Sequence, residues 1–131
     1  MKYCRVVDLA RLLEVDYDFL TKYLRSNKEV IPPHPLGKYN LKDFIDLHTF
    51  PRVPDGPAEK IDISLLNEKG VVTLPEAHQE LSNYGLKIHY TTFWRKIKNL
   101  SVTHIKIGKA IRIPQYILFR EIEKGTFSKQ K

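Results

Sequence analysis

The stretch Ile105-Lys-Ile-Gly-Lys-Ala-Ile-Arg-Ile-Pro114 decides how the rest of the chain is read. Ile105 and Ile107 alternate with Lys106, and Ile111 and Ile113 alternate with Arg112, on either side of Gly108-Lys109. A period of two on both sides of a tight glycine turn predicts a two-stranded hairpin. The alternation predicts one apolar face and one basic face, the basic one carrying Lys106 and Arg112 with Lys109 at the tip. Pro114 then opens a closing helix, because proline lacks the amide that a first helical turn leaves unpaired anyway. Ile117, Leu118 and Ile122 are its core positions, Gly125 is its stop, and Phe127 to Lys131 read as a frayed basic tail.

Upstream of the hairpin the period changes. From about Tyr90 to Asn99, Phe93, Ile97 and Leu100 recur at spacings of four and three, while Thr91, Trp94, Arg95 and Lys98 share the opposite face. That is an amphipathic helix. Before it, Gly85 supplies a turn, and Thr73-Leu-Pro-Glu76 is a capping-box start to a helix through about Asn83. The first fifty residues repeat this order more weakly. Asp8 to Leu13 form a short helix, Asp16 caps a second with Leu20, Tyr23 and Leu24 inward and Thr21, Lys22 and Arg25 outward, and Leu41 to Leu47 close the unit. Pro32, Pro33 and Pro35 leave little backbone for long strands there. The two Gly-Lys pairs lie 71 residues apart, and Ala10 and Ala77 lie 67 apart, the spacing of a tandem duplication.

Pro51, Pro54 and Pro57 mark the boundary between the pieces. The expected organisation is a domain at 1–50, a Pro-rich linker and connector at 51–70, a second domain at 71–125 and a basic tail at 126–131. Charge changes at the same place. Residues 1–57 hold nine basic and eight acidic residues, a net of +1. That leaves 13 of the 22 basic and seven of the 15 acidic residues for 58–131, a net of +6. Between Glu80 and Glu121 there is no acidic residue, only Lys87, Arg95, Lys96, Lys98, Lys106, Lys109, Arg112 and Arg120. A field of one sign over some forty residues favours a polyanion, most simply nucleic acid.

Helix, glycine turn, helix, basic hairpin, helix is the order of a winged helix-turn-helix. Residues 72–124 resemble the excisionase and MerR-type winged helix-turn-helix family of small bacterial and phage DNA-binding domains. The motifs are Thr73-Leu-Pro-Glu-Ala77, the turn before Thr91-Thr-Phe-Trp-Arg-Lys-Ile97, and the 105–114 string, which is similar to the family's wing and the proline after it. The first piece is similar more loosely, through Ile31-Pro-Pro-His-Pro35 ahead of Gly37-Lys38. The resemblance implies a mainly α fold with small β-hairpins (α+β), built as two tandem winged helix-turn-helix domains. It carries DNA contacts to Thr91, Thr92, Arg95 and Lys98 on a recognition helix and to Lys106, Lys109 and Arg112 on a wing. The family often has an aromatic where Lys96 stands. Here the aromatic is Trp94, which packs on the wing, touches DNA or meets the other domain. Thr21, Lys22, Arg25 and Lys38 would be a secondary contact in the first domain, where nearby acids weaken any pull on phosphates.

The expected function is sequence-specific binding of double-stranded DNA in transcriptional regulation, the helix in the major groove and the wing on the backbone or minor groove. Two alternatives stand beside it. One is an excisionase-like architectural factor in recombination, replication or segregation of a mobile element. The other is a protein-interaction module built on winged folds, with self-association or another protein as partner through the first domain. RNA ranks lower, because no stacking aromatics lie on the strands. If about five phosphates are neutralised, the log–log salt slope is about −4 to −5. No enzyme is expected. His34, His48, His78, His89 and His104 lack metal-ligand spacing, no P-loop, dinucleotide fingerprint or nucleophile elbow is present, and the acidic pairs, Glu121/Glu123 among them, read as solvated. No cofactor is expected. One cysteine, no signal-like start and no long apolar run point to the cytoplasm, at the nucleoid, and away from membranes.

Overall fold

The computed structural model describes residues 3–128 of the 131. It is a mixed α+β chain whose first unit begins with β1 (Tyr3–Cys4), α1 (Val6–Leu13) and α2 (Tyr17–Ser26). The Asp16 carboxylate accepts the Phe19 amide at 3.0 Å, so α2 starts where an N-cap residue sits. Leu20 and Leu24 are buried beneath it. The prolines then hold the chain in a tight turn over Pro35–Gly37, closed by the His34 amide donating to the Lys38 carbonyl at 2.7 Å. At its tip Leu36 has φ +74° and is 91% exposed. A side chain in the left-handed region costs about 1–2 kcal/mol. β2 (Tyr39–Asn40) runs antiparallel to β1, and α3 (Leu41–Leu47) follows. Cys4, the single cysteine, is buried in β1.

The stretch 51–70, expected as a linker and connector, is folded onto both halves. β3 (Thr49–Phe50) leads into a small ladder of β4 (Arg52–Val53) and β5 (Gly56–Pro57), and then α4 (Ile63–Lys69). Ile61 and Leu66 are buried. The Asp62 amide donates to the Tyr116 hydroxyl at 2.9 Å, and Glu59 accepts from Arg120 and, at 2.7 Å, from Thr103. Arg52 donates to the carbonyls of Asp46, Leu47 and Thr49, the free end of α3.

The second unit consists of β6 (Val71–Thr73), α5 (Leu74–Asn83), α6 (Tyr90–Asn99), β7 (His104–Ile107), β8 (Ala110–Pro114) and α7 (Gln115–Glu123). The capping box is present: Thr73 N donates to Glu76 at 2.8 Å, and Glu76 N donates to the Thr73 hydroxyl at 3.3 Å. The first unit follows strand, helix, helix, turn, strand, helix, the second adds β7 ahead of the turn, and in each the first strand pairs with the strand before the last helix. Three expectations change. Leu100 caps α6 and is 53% exposed, and Val102 takes the core position in its place. Thr126 and Phe127 are not a frayed tail: Thr126 donates to Glu121, and Phe127 is buried with its ring 5.3 Å from that of Phe93. Glu121 is buried too, paired with Arg120 and Lys124 rather than solvated. The rest of the tail, 129–131, lies outside the described residues.

The two units share one sheet, in the order β3-β7-β8-β6. Thr49 pairs with Ile105 and Phe50 with His104, so the end of the first unit is an edge strand of the second unit's hairpin. A single cluster of buried side chains runs from Leu9, Leu20 and Phe44 to Ile105, Ile113 and Phe127. Units of about 50 and 70 residues bury too little surface to be robust alone, and a common core remedies that.

Candidate nucleic-acid interface

Register overturns the expected basic face of the hairpin. Gly108-Lys109 is a two-residue turn, so Ile107 pairs with Ala110, Lys106 with Ile111 and Ile105 with Arg112. Residues directly opposite one another project from the same side of a sheet. Lys106 therefore shares its side with His104, Ile111 and Ile113, while Arg112 shares the other side with Ile105 and Ile107. That second side is turned to the first unit. Arg112 Nε donates to the Leu13 carbonyl at 3.0 Å and one terminal nitrogen to the Glu14 carbonyl at 2.8 Å. The other terminal nitrogen donates to its neighbour Ile111 at 2.9 Å. These carbonyls close α1, whose C-cap Glu14 is left-handed at φ 52°. Arg112, expected on DNA, is thus a clamp between the units, each of its three nitrogens already donating within the molecule.

The turn itself packs on α2. A Cβ placed on Gly108 would lie 3.3 Å from Phe19 Cζ and 3.8 Å from Tyr23 Cδ1. At φ +58° this position also favours glycine. Lys106 and Lys109 on either side remain exposed. The β3–β7 ladder continues where Lys106 N donates to the His48 carbonyl at 2.9 Å.

On α6, Phe93 and Ile97 are buried, and steps of 100° put Arg95 opposite them, flanked by Thr91, Lys98 and Asn99. Thr91, Arg95 and Lys98 are exposed and Thr92 is half-buried. Trp94 is half-buried on the hairpin side, its ring edge-on to His104 at 6.0 Å, with Lys98 Nζ over its outer face at 5.3 Å. Phe50 stacks on His104 at 6.0 Å, and Lys106 stands two residues along the same side of β7. Contacts thus run from Lys98 through Trp94 and the buried His104 to the side of β7 that carries Lys106. Of the three roles open to Trp94, packing against the hairpin is the one observed. Thr92, Arg95, Lys96 and Asn99 also border a groove of about 630 Å³ that α6 forms with Lys124, Gly125 and Thr126 beyond α7.

Pairing divides the cations. Arg120 is bound to Glu59 and Glu121, and Arg112 to carbonyls. The other six of the acid-free window, Lys87, Arg95, Lys96, Lys98, Lys106 and Lys109, have no carboxylate within 4.0 Å among the described residues. In the first unit Lys22, Arg25 and Lys38 are exposed and equally unpaired among the described residues. Thr21 is different. Its hydroxyl is buried without a hydrogen-bond partner, so the expected outward position is corrected to an inward one.

Two histidines sit in the seam between the units. His48 Nδ1 donates to the Phe44 carbonyl at 2.8 Å, which leaves Nε2 to accept from the Tyr23 hydroxyl at 2.6 Å. Burial pushes its pKa below the ordinary value, and nearby Arg52 adds to this. His104 donates to the Val102 carbonyl at 2.9 Å, and burial, then Lys106, lower its pKa as well. Glu59 is held below the usual carboxylate range by its hydrogen bond from Arg120. Burial raises Glu121, but bonds from Thr126 and Arg120 outweigh it and the net shift is downward. Among the described residues no group of three His, Cys, Asp or Glu side chains could hold a metal ion, and no helix is long and apolar enough to cross a membrane. The contact of Phe50 with His104 has no counterpart in the sequence pattern. They meet only through the β3–β7 pairing, 54 positions apart, which no local pattern signals.

No family model matches this chain, and comparison with curated proteins and with solved structures finds no match either.

Proposed function

We propose that this chain is a sequence-specific double-stranded DNA-binding protein of two tandem winged helix-turn-helix units, acting in transcriptional regulation. α6 enters the major groove with Thr91, Arg95 and Lys98, where Arg and Lys reach guanine edges and phosphates. Lys106 and Lys109 on the wing lie along the adjacent backbone or minor groove. The observation that carries this reading is that the exposed cations of α6 and the hairpin, Arg95, Lys98, Lys106 and Lys109, have no carboxylate partner among the described residues. A lysine or arginine without a carboxylate gives up no internal ion pair on meeting a phosphate. Lys22, Arg25 and Lys38 supply a weaker, secondary contact. The binding reading needs neither cofactor nor catalytic group.

A second reading, an architectural factor in recombination, replication or segregation of a mobile element, is favoured by the shared sheet. Two units locked in one body impose a fixed shape on any duplex that touches both.

With Arg112 committed internally, four cations remain on the principal surface, and at about −0.9 per phosphate the log–log salt slope is about −3 to −4. The test selects duplexes from a random-sequence pool and titrates the selected one against salt. Lys98→Ala should weaken binding by about 1–3 kcal/mol and make the slope shallower by about 1, whereas Lys22→Ala should cost much less. Equal losses at both positions refute the ranking of the units. Retention of no duplex at all, with capture of a protein partner that survives nuclease, refutes the DNA reading.

A further inference from the structure

We propose that the Pro35-Leu36-Gly37 turn is an apolar wedge that enters the minor groove and partly unstacks a base step, so that the protein bends the duplex it binds. This rests on the DNA reading above and gives the first unit an activity of its own. Leu36 is the most exposed of the large hydrophobic side chains among the described residues, at 91%. It also occupies a left-handed backbone position, φ +74°, that glycine adopts at no steric cost. The fold therefore spends stability on a leucine that is almost wholly exposed among the described residues, which suits a side chain whose contacts lie outside the molecule.

The surroundings fit a nucleic acid. The tip is narrow, because the Gly37 amide donates to the His34 carbonyl at 3.0 Å and the His34 amide to the Lys38 carbonyl at 2.7 Å. It is also rigid at its base, with Pro32, Pro33 and Pro35 limiting the backbone and the Tyr3 ring against that of His34 at 4.2 Å. No acidic residue occurs between Glu29 and Asp43, and exposed Lys38 stands directly behind the tip. A rigid apolar point with a lysine behind it fits insertion of leucine or proline between base pairs from the minor groove. A protein pocket would take the leucine equally well but has no use for the cation and the acid-free flank. In the first unit this turn occupies the place that the Gly108-Lys109 turn holds in the second, where Gly108 lies against Phe19 and Tyr23 and the exposed tip residue is a lysine. Of the two turns, only the Leu36 one carries an exposed apolar side chain at its tip.

The test uses the full chain and a duplex selected from the random pool, labelled at both ends for energy transfer and carrying 2-aminopurine at successive positions. The intact protein should bend the duplex by about 20–90° and raise 2-aminopurine emission at one step. Leu36→Gly, which relieves the backbone position and should not lower the melting temperature, should return the bend and the emission to those of free DNA. Its salt slope should stay unchanged. Leu36→Met, which keeps an apolar wedge, should retain both signals. An unbent duplex with the intact protein, or an equal bend with Leu36→Gly, overturns the wedge while leaving DNA binding standing. Failure to retain any duplex overturns both.

Discussion

Replacing Arg112 with alanine separates a side chain that holds the two units together from one that holds DNA. The substitution removes donors to the Leu13 and Glu14 carbonyls, at 3.0 and 2.8 Å, and one to Ile111. Hydrogen bonds from a charged donor contribute about 1.5–3 kcal/mol each when water is excluded. Arg112 is only half-buried, so water takes over part of each bond, and the two contacts between the units together contribute about 2–3 kcal/mol. For 131 residues the entropy of unfolding is about 0.28 kcal/mol/K, so the melting temperature should fall by about 7–11 °C. Thermal denaturation followed by circular dichroism measures this at fixed pH and salt. The salt slope of duplex binding, taken well below the lowered melting point, should match that of the unaltered chain. A melting temperature lowered by less than about 2 °C, with a slope shallower by about 1, would place Arg112 on a phosphate and refute the clamp.

Stability should decline as pH falls below about 6.5, the ordinary histidine value, because His48 and His104 both have lowered pKa values in the fold. The folded chain then binds fewer protons than the unfolded one, so their contribution is complete above that value. It is lost progressively down through the folded values. Urea midpoints measured from pH 8 to 5 would show this, and the decline should shrink in His48→Gln; a flat profile through pH 5 counts against buried neutral histidines in the seam. Gly108→Ala should destabilise by about 1–2 kcal/mol, a loss of roughly 4–7 °C, through its left-handed backbone and the close approach to Phe19. Adding Phe19→Leu should recover part of that loss in the same melting assay. No recovery would mean that the turn and α2 do not press on one another.

Local signals were legible wherever the physics is local. The Thr73–Glu76 capping box, the Asp16 cap, the α6 period and the hairpin ends all depend on residues within four positions of one another. Their helices fall where the pattern puts them. The face that each hairpin side chain occupies was not legible. Alternation within a strand says which residues go together, but the length of the turn decides which set of the second strand joins which set of the first. A two-residue turn put Arg112 beside Ile105 rather than beside Lys106. The packing of the 51–70 stretch shows a related limit. Prolines at 51, 54 and 57 do break helices and long strands, yet the two-residue strands β3, β4 and β5 accommodate the segment they lie in. The same limit hid the burial of Phe127, which follows a glycine stop and looks like tail until Phe93 is found beside it.

From the chain of residues alone came the order of elements, the caps, the acid-free window and the repeat of one pattern in two halves, since each follows from charge, proline, glycine and periodicity along the backbone. Only the tertiary structure decided that the halves share a sheet, that Arg112 faces inward and that Trp94 packs against His104. Those facts depend on strand pairing between segments about fifty residues apart and on which side of a common sheet each unit packs. Burial of a shared core sets that choice, and it is a property of the whole molecule.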